Sequence, residues 1–203
     1  MKHLSMIGAI LGLLVSCVTW TVNSPDKVTF PEANQKKSIL HYSLVSTNAL
    51  APVHEKLKNG FAKGIEDSKL FESAVLHESF ERYYQIEKGT ADIFLEVRQV
   101  ERQVGGFAGG SMITNAFFSG ITLFIIPLYV QSKFDYEFTI FFFNAKTKGY
   151  DKVSTKTYSL SGHTIMGWLT LPFIWINLLL KGPEDISEAM MDDFLYQHFP
   201  QKK

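Results

Sequence analysis

Apolar and polar positions change rhythm several times along this chain, and each change marks an element. Ser38 to Ser46 (SILHYSLVS) is β-branched and aromatic, and apolar on both parities at its centre, the pattern of a strand covered on both faces. Leu50, Val53, Leu57, Phe61 and Ile65 then recur at helical spacing, with Glu55, Lys56, Lys58 and Lys63 between them, which predicts an amphipathic helix over 48–67. Thr47 or Asn48 would cap it, Pro52 falls in its first turn, and Gly60 and Gly64 weaken its end. Lys69 to Leu76 reads as a second strand. His77 to Lys88, with Phe80, Tyr83, Tyr84 and Ile86, fits a short helix or an irregular crossover. From Ala91 to Val100 the alternation is clean: Ala91, Ile93, Leu95 and Val97 on one side, Asp92, Glu96 and Arg98 on the other, a half-buried strand.

The second half of the chain is different in kind. Gly105 to Val130 carries no charge. Phe134 to Asn144 and Asp151 to Leu160 follow as two strands joined by the polar turn Ala145-Lys146-Thr147-Lys148-Gly149, a hairpin pattern. Thr164 to Leu180 is a second charge-free run. Gly182-Pro183 then opens a helix, with Glu184 and Asp185 favourable in its first turn, Ile186, Met190, Phe194 and Leu195 on its buried face, and Pro200 at its end. The order strand, helix, strand, crossover, strand predicts an α/β sandwich. Its mixed sheet would have about five strands and two or three helices, with two apolar helical segments added.

Hydropathy alone makes each charge-free run a membrane-span candidate. The first opens with Gly105-Gly106 and Gly109-Gly110 and is stopped by Pro127; as helix its uninterrupted part would reach about 24 Å, short of the roughly 30 Å hydrocarbon core. The second has Pro172 at its middle, with Trp168 and Trp175 on either side. Broken, short, Trp-flanked segments match helices that dip into a membrane surface, and Phe117, Phe118, Phe124, Trp168, Phe173 and Trp175 are the side chains expected to touch lipid. Two true spans, and burial in a core or protein interface, stay open beside that reading. Gly105-x-x-x-Gly109 and Gly106-x-x-x-Gly110 match the small-residue packing pattern of membrane helices, but the pattern is common by chance and a flexible Gly-rich hinge is the favoured reading.

Composition narrows the classes further. Twenty basic and 20 acidic residues leave no net charge, which argues against a nucleic-acid partner. A single cysteine, Cys17, allows no disulfide within the chain, so the domain must fold on its own core.

Cys17 matters for another reason. Lys2 precedes an uncharged, mostly apolar stretch from Leu4 to Val15, and small Ser16 stands before the cysteine, the layout of a secretory signal. Leu14-Val15-Ser16-Cys17 resembles the lipobox of bacterial lipoproteins, with Val15 a mild departure from the commoner small residue there. The resemblance implies removal of residues 1–16, a diacylglycerol on the Cys17 sulfur, and attachment to membrane lipid. Residues 17–37, polar and containing Pro25 and Pro31, would then be lipidated end and tether, and 38–203 a single α/β domain with apolar insertions at 105–130 and 164–180. Val18 is not the aspartate that keeps many such lipoproteins at the inner membrane, which implies the outer one.

No constellation for chemistry appears. His3, His41, His54, His77, His163 and His198 show no helical pair spacing for a metal, and no cofactor motif is present. Ser119-Gly120 and Ser161-Gly162 lack a nucleophile elbow, the Gly-rich stretch lacks a phosphate-loop ending, and Glu66-Asp67 and Asp192-Asp193 sit where solvated helix faces are expected. Ala91-Asp92 opening a strand, the run ending Thr122-Leu123-Phe124-Ile125-Ile126-Pro127, the hairpin and the Trp- and Pro-containing run together look like Gram-negative envelope lipoproteins. Their domain is similar to the N-terminal domain of TolB and to PelC. That resemblance implies assembly or export roles by analogy only. The expected function is therefore a non-enzymatic, periplasm-facing envelope lipoprotein with a protein partner or self-association. The alternatives are a transport or export accessory subunit with two transmembrane helices, and a small lipid- or glycan-acting enzyme.

Overall fold

The computed structural model describes residues 16–30, 38–47, 53, 55–86, 91–105, 112–121 and 127–199. In chain order these form β1 (Ser16–Val22), β2 (Ser38–Ser46), α1 (Glu55–Ser68), β3 (Phe71–His77), α2 (Phe80–Ile86), β4 (Ile93–Gly105), α3 (Met112–Ile121), β5 (Leu128–Asn144), β6 (Gly149–Gly167), a 3-10 helix (Trp168–Leu178) and α4 (Pro183–His198). The sheet has six strands in the order β1-β6-β5-β4-β2-β3. Strand β2 runs parallel to both β3 and β4, while β1 runs antiparallel to β6, so the sheet is mixed.

The chain divides into two compact units: residues 1–22, 102–133 and 161–181, and residues 23–101, 134–160 and 182–203. The larger unit holds the main core. Helix α1 carries the chain from β2 to parallel β3, as a crossover must. Leu40 and Tyr42 of β2, Ile93, Leu95 and Val97 of β4, and Tyr136, Phe138 and Ile140 of β5 form one apolar layer. Phe61 and Ile65 of α1 and Met190, Phe194 and Leu195 of α4 lie against it. The opposite parity of β4 is covered as well. Phe94 is fully buried against Tyr83 and Phe80 of α2, so the strand is not half-buried as its alternation suggests.

Gly60 and Gly64 are the seam between α1 and α4. A Cβ on Gly60 would stand 2.0 Å from Ser187 Oγ and 2.2 Å from the Glu184 carbonyl oxygen, and one on Gly64 would stand 2.9 Å from Met191 Cβ. Their weakening of the helix is thus the condition for two backbones to approach. At the start of α4, Pro183 occupies the first turn and Asp185 accepts a hydrogen bond from the Gly182 N–H at 2.9 Å.

The smaller unit corrects the reading of the tether and of the charge-free runs. Ser16–Val22, expected as the last residue of the signal and the start of the tether, is strand β1. Its composition explains this: Val18, Trp20 and Val22 alternate with Thr19 and Thr21, and the strand ends only at Asn23, whose φ is 66°. The sheet therefore has six strands where about five were expected. Thr164–Gly167 of the second apolar run continues β6, and Pro172 sits inside the 3-10 helix that follows. Helix α3 has 10 residues, an axial length of about 15 Å. Among the described residues, no helix is long and apolar enough to cross a membrane.

Candidate functional site

Strand β1 ends the sheet, and Cys17 lies on it, exposed and paired with Met166 of β6. A terminal strand has backbone groups that no neighbouring strand takes up. On β1 one side chain takes two of them. The Asn177 Nδ2 amide donates to the Cys17 carbonyl at 2.7 Å, and the Thr19 N–H donates to Asn177 Oδ1 at 3.1 Å. The primary amide thus acts as a neighbouring peptide group would, and ties residues 17–19 to the 3-10 helix. Further along the strand Trp20 stacks on His163 with centroids 5.2 Å apart, and His163 Nδ1 meets the Tyr129 hydroxyl at 2.6 Å. Thr19 and Thr164 hydroxyls pair at 3.2 Å.

Around this end the apolar side chains are turned outward. Of the six expected lipid contacts, Phe117 is 64% exposed, Trp175 is 55% exposed, and Phe173 is more than half exposed. Phe118 lies on α3 and Trp168 opens the 3-10 helix, but their side chains are outside the description, as is residue Phe124 altogether. Sequence reasoning missed others. Ile113 and Ile121 flank Phe117 at four-residue spacing on α3, and Leu178, 87% exposed, and Leu179 close the 3-10 helix. The four-residue spacing within α3 was the available signal. Neither segment contains a charged residue.

The larger unit carries a different cluster. Glu188 on α4 is 3% exposed, forms an ion pair with Lys27, and lies 3.1 Å from Lys63. Burial works to raise its pKa, but hydrogen bonds from the two lysines outweigh this and hold it below the ordinary carboxylate range. One turn on, Asp192 is 1% exposed, and its Oδ1 has no hydrogen-bond partner among the described residues. Burial, with the nearby Glu188 charge, pushes it up to about 6. Asp192 lines a cavity of about 230 Å³ with Lys27, Phe30, Asp67 and Lys69. Asp193 is held by Lys156 at 2.6 Å and by the Tyr158 hydroxyl at 2.7 Å. The expected solvated face at Asp192-Asp193 is corrected: α4 packs against both α1 and the sheet, which buries Asp192 and leaves Asp193 half-buried and ion-paired.

His41 and His77, from parallel β2 and β3, stack with centroids 5.0 Å apart and Nδ1 of the first 2.9 Å from Nε2 of the second. Tyr83 packs on both rings. Among the described residues, no three side chains of metal-binding type come together.

No protein-family model matches the chain, and no curated protein matches it in sequence. Among solved structures it is similar to the PelC dodecamer from Paraburkholderia phytofirmans, at 8% identity over 89% of this chain and 95% of that one, with a TM-score of 0.33. It is also similar to the hypothetical protein CT253 from Chlamydia trachomatis, at 9% identity over 80% and 93% of the two chains, with a TM-score of 0.36. At these scores no role follows for this chain.

Proposed function

We propose that this chain is a lipoprotein of the bacterial cell envelope, held on a membrane by acyl chains on Cys17. Its α/β body binds or assembles with envelope partners and performs no catalysis. The observation that carries the reading is the meeting of a lipobox with an exposed cysteine at the head of a terminal strand, so that a bulky adduct on its sulfur need displace nothing buried. The body faces the periplasm, and Val18 favours the outer membrane over the inner.

A partner surface is supported at the other end of the sheet. Strand β3 is terminal, and its residues from Glu72 to Leu76 are exposed. A groove of about 500 Å³ runs beside it, where Tyr42, Ile65 and Phe71 meet Glu66, Lys69 and Glu72. An open strand edge with a groove of mixed apolar and charged lining alongside fits an extended segment of another protein, or of a second copy. Nucleic acid is not a partner of this reading, since the chain has no net charge to steer it.

Mass spectrometry of the protein purified from its native membrane tests the anchor. The expected mature form begins at Cys17 and carries a diacylglyceryl thioether, and Cys17→Ala is expected to accumulate as unprocessed precursor. A free thiol on the native protein, or normal processing of the variant, overturns the proposal.

A further inference from the structure

We infer that the 3-10 helix Trp168–Leu178 is a second membrane contact, laid on the bilayer surface beside the lipid anchor, and that Asn177 is the positioning residue that joins the two. The inference rests on acylation of Cys17, as proposed above, and adds where the body must lie once the acyl chains are inserted.

A lipid on a long tether leaves a domain free to face the membrane with any surface. Here Cys17 is already the second residue of β1 and is paired with Met166, so acyl chains would leave from a residue fixed in the sheet. Whatever surface adjoins Cys17 must then adjoin the bilayer. Asn177 identifies that surface, because its amide holds the Cys17 carbonyl and the Thr19 N–H together. On either side of Asn177 stand the exposed Phe173, Trp175, Leu178 and Leu179, with no charged residue within the helix.

Lipid suits this surface better than water does. Trp is favoured at the boundary between headgroups and acyl chains, where its apolar body and its N–H both find suitable surroundings. The two acyl chains of a diacylglycerol already hold the protein to the membrane, so an apolar contact beside them sets how the body lies there. The 3-10 helix has 11 residues, about 22 Å at roughly 2 Å per residue, short of the roughly 30 Å hydrocarbon core, so it lies along a surface and does not cross it. Helix α3, in the same unit, offers a further outward stripe of Ile113, Phe117 and Ile121.

Acylation leaves no free thiol in the native chain, so a cysteine introduced by Leu178→Cys is uniquely reactive and takes a polarity-sensitive fluorophore. The full lipidated protein is placed on vesicles of phosphatidylethanolamine and phosphatidylglycerol containing nitroxide-labelled phospholipid. The expected result is a blue-shifted emission that the nitroxide lipid quenches. Asn177→Ala, shown by circular dichroism to be folded and by mass to be acylated, is expected to lower the docked-to-undocked ratio by about tenfold, the effect of losing one or two hydrogen bonds.

The outcomes separate cleanly. An acylated protein whose fluorophore stays at its aqueous emission, unquenched, overturns the docking while the anchor reading stands. A blue shift that needs no lipid and grows with protein concentration assigns the surface to a second copy and overturns it too. Equal quenching in the Asn177→Ala variant removes the role of Asn177. A free Cys17 thiol, seen by mass, removes the anchor itself.

Discussion

At the scale of residues, Asp192 is the group whose behaviour departs furthest from its place in the sequence. It is buried with one oxygen unpartnered, near Glu188, Lys27, Asp67 and Lys63, and its pKa is raised to about 6. The folded protein therefore holds a proton on Asp192 over roughly pH 4 to 6, where the unfolded chain has already lost it. Stability contributed by this group falls as pH rises through that window, and the cost is fully present above it. Glu188 acts in the opposite sense: its lowered pKa contributes stability above the ordinary carboxylate pKa, which is lost as the pH falls. Asp192→Asn removes the charge and keeps the shape. It is expected to gain on the order of 1–2 kcal/mol at pH 7.5 and little at pH 4.5, read from urea midpoints at the two values. A loss at pH 7.5 equal to that at pH 4.5 would contradict the raised pKa.

Elements follow a rule that single residues do not show. Helices α1 and α4 touch through Gly60 and Gly64, where a methyl group on Gly60 would meet both a side chain and a backbone oxygen. Such a collision is relieved only by moving one helix. Gly60→Ala raises helix propensity and is nevertheless expected to destabilise by about 2–3 kcal/mol, since overpacking a backbone seam outweighs the roughly 1 kcal/mol gained locally. A urea titration giving a midpoint at or above that of the parent would show that the seam can open without cost. The periodicity of α1 was legible because Phe61 and Ile65 face the core every fourth residue. The seam was not, because a glycine carries no polarity and its meaning lies on the facing helix. Ser38–Ser46 was legible to both ends, since turn-forming and β-branched residues change over abruptly at each. By contrast, β5 and β6 run to 17 and 19 residues, well past the expected hairpin, because Leu128–Val130 and Thr164–Gly167 fall within the charge-free runs and read with them.

On the scale of the whole molecule, the described phenylalanines range from fully buried to mostly exposed. Phe138 is fully buried, with Phe61, Tyr158 and Phe194 at centroid distances of 5.8, 5.1 and 5.1 Å. Phe117 stands in solvent on α3. Truncating the first should cost about 3–5 kcal/mol, and truncating the second should leave the urea midpoint within about 0.5 kcal/mol of the parent. If Phe117→Ala proved as damaging as Phe138→Ala, the outward face of α3 would be part of a core, and its proposed place at a membrane would be lost. Phe138 has Lys133, Asp135 and Glu137 just before it, while Phe117 lies in a charge-free run, so hydropathy alone would bury the wrong one of the two.

Local pattern by itself determined the alternation of strands and helices, the placement of Pro183 at a helix start, and the lipobox resemblance, because each depends on neighbours a few residues apart. Tertiary structure alone decided the rest. Asn177 reaches Cys17 across 160 residues of chain. Asp192 becomes buried only when α4 is laid on α1, and which strand the β-prone residues of β1 pair with is settled by β6, far along the chain. Burial and hydrogen-bond partnership are properties of two surfaces meeting, and a linear pattern records only one of them.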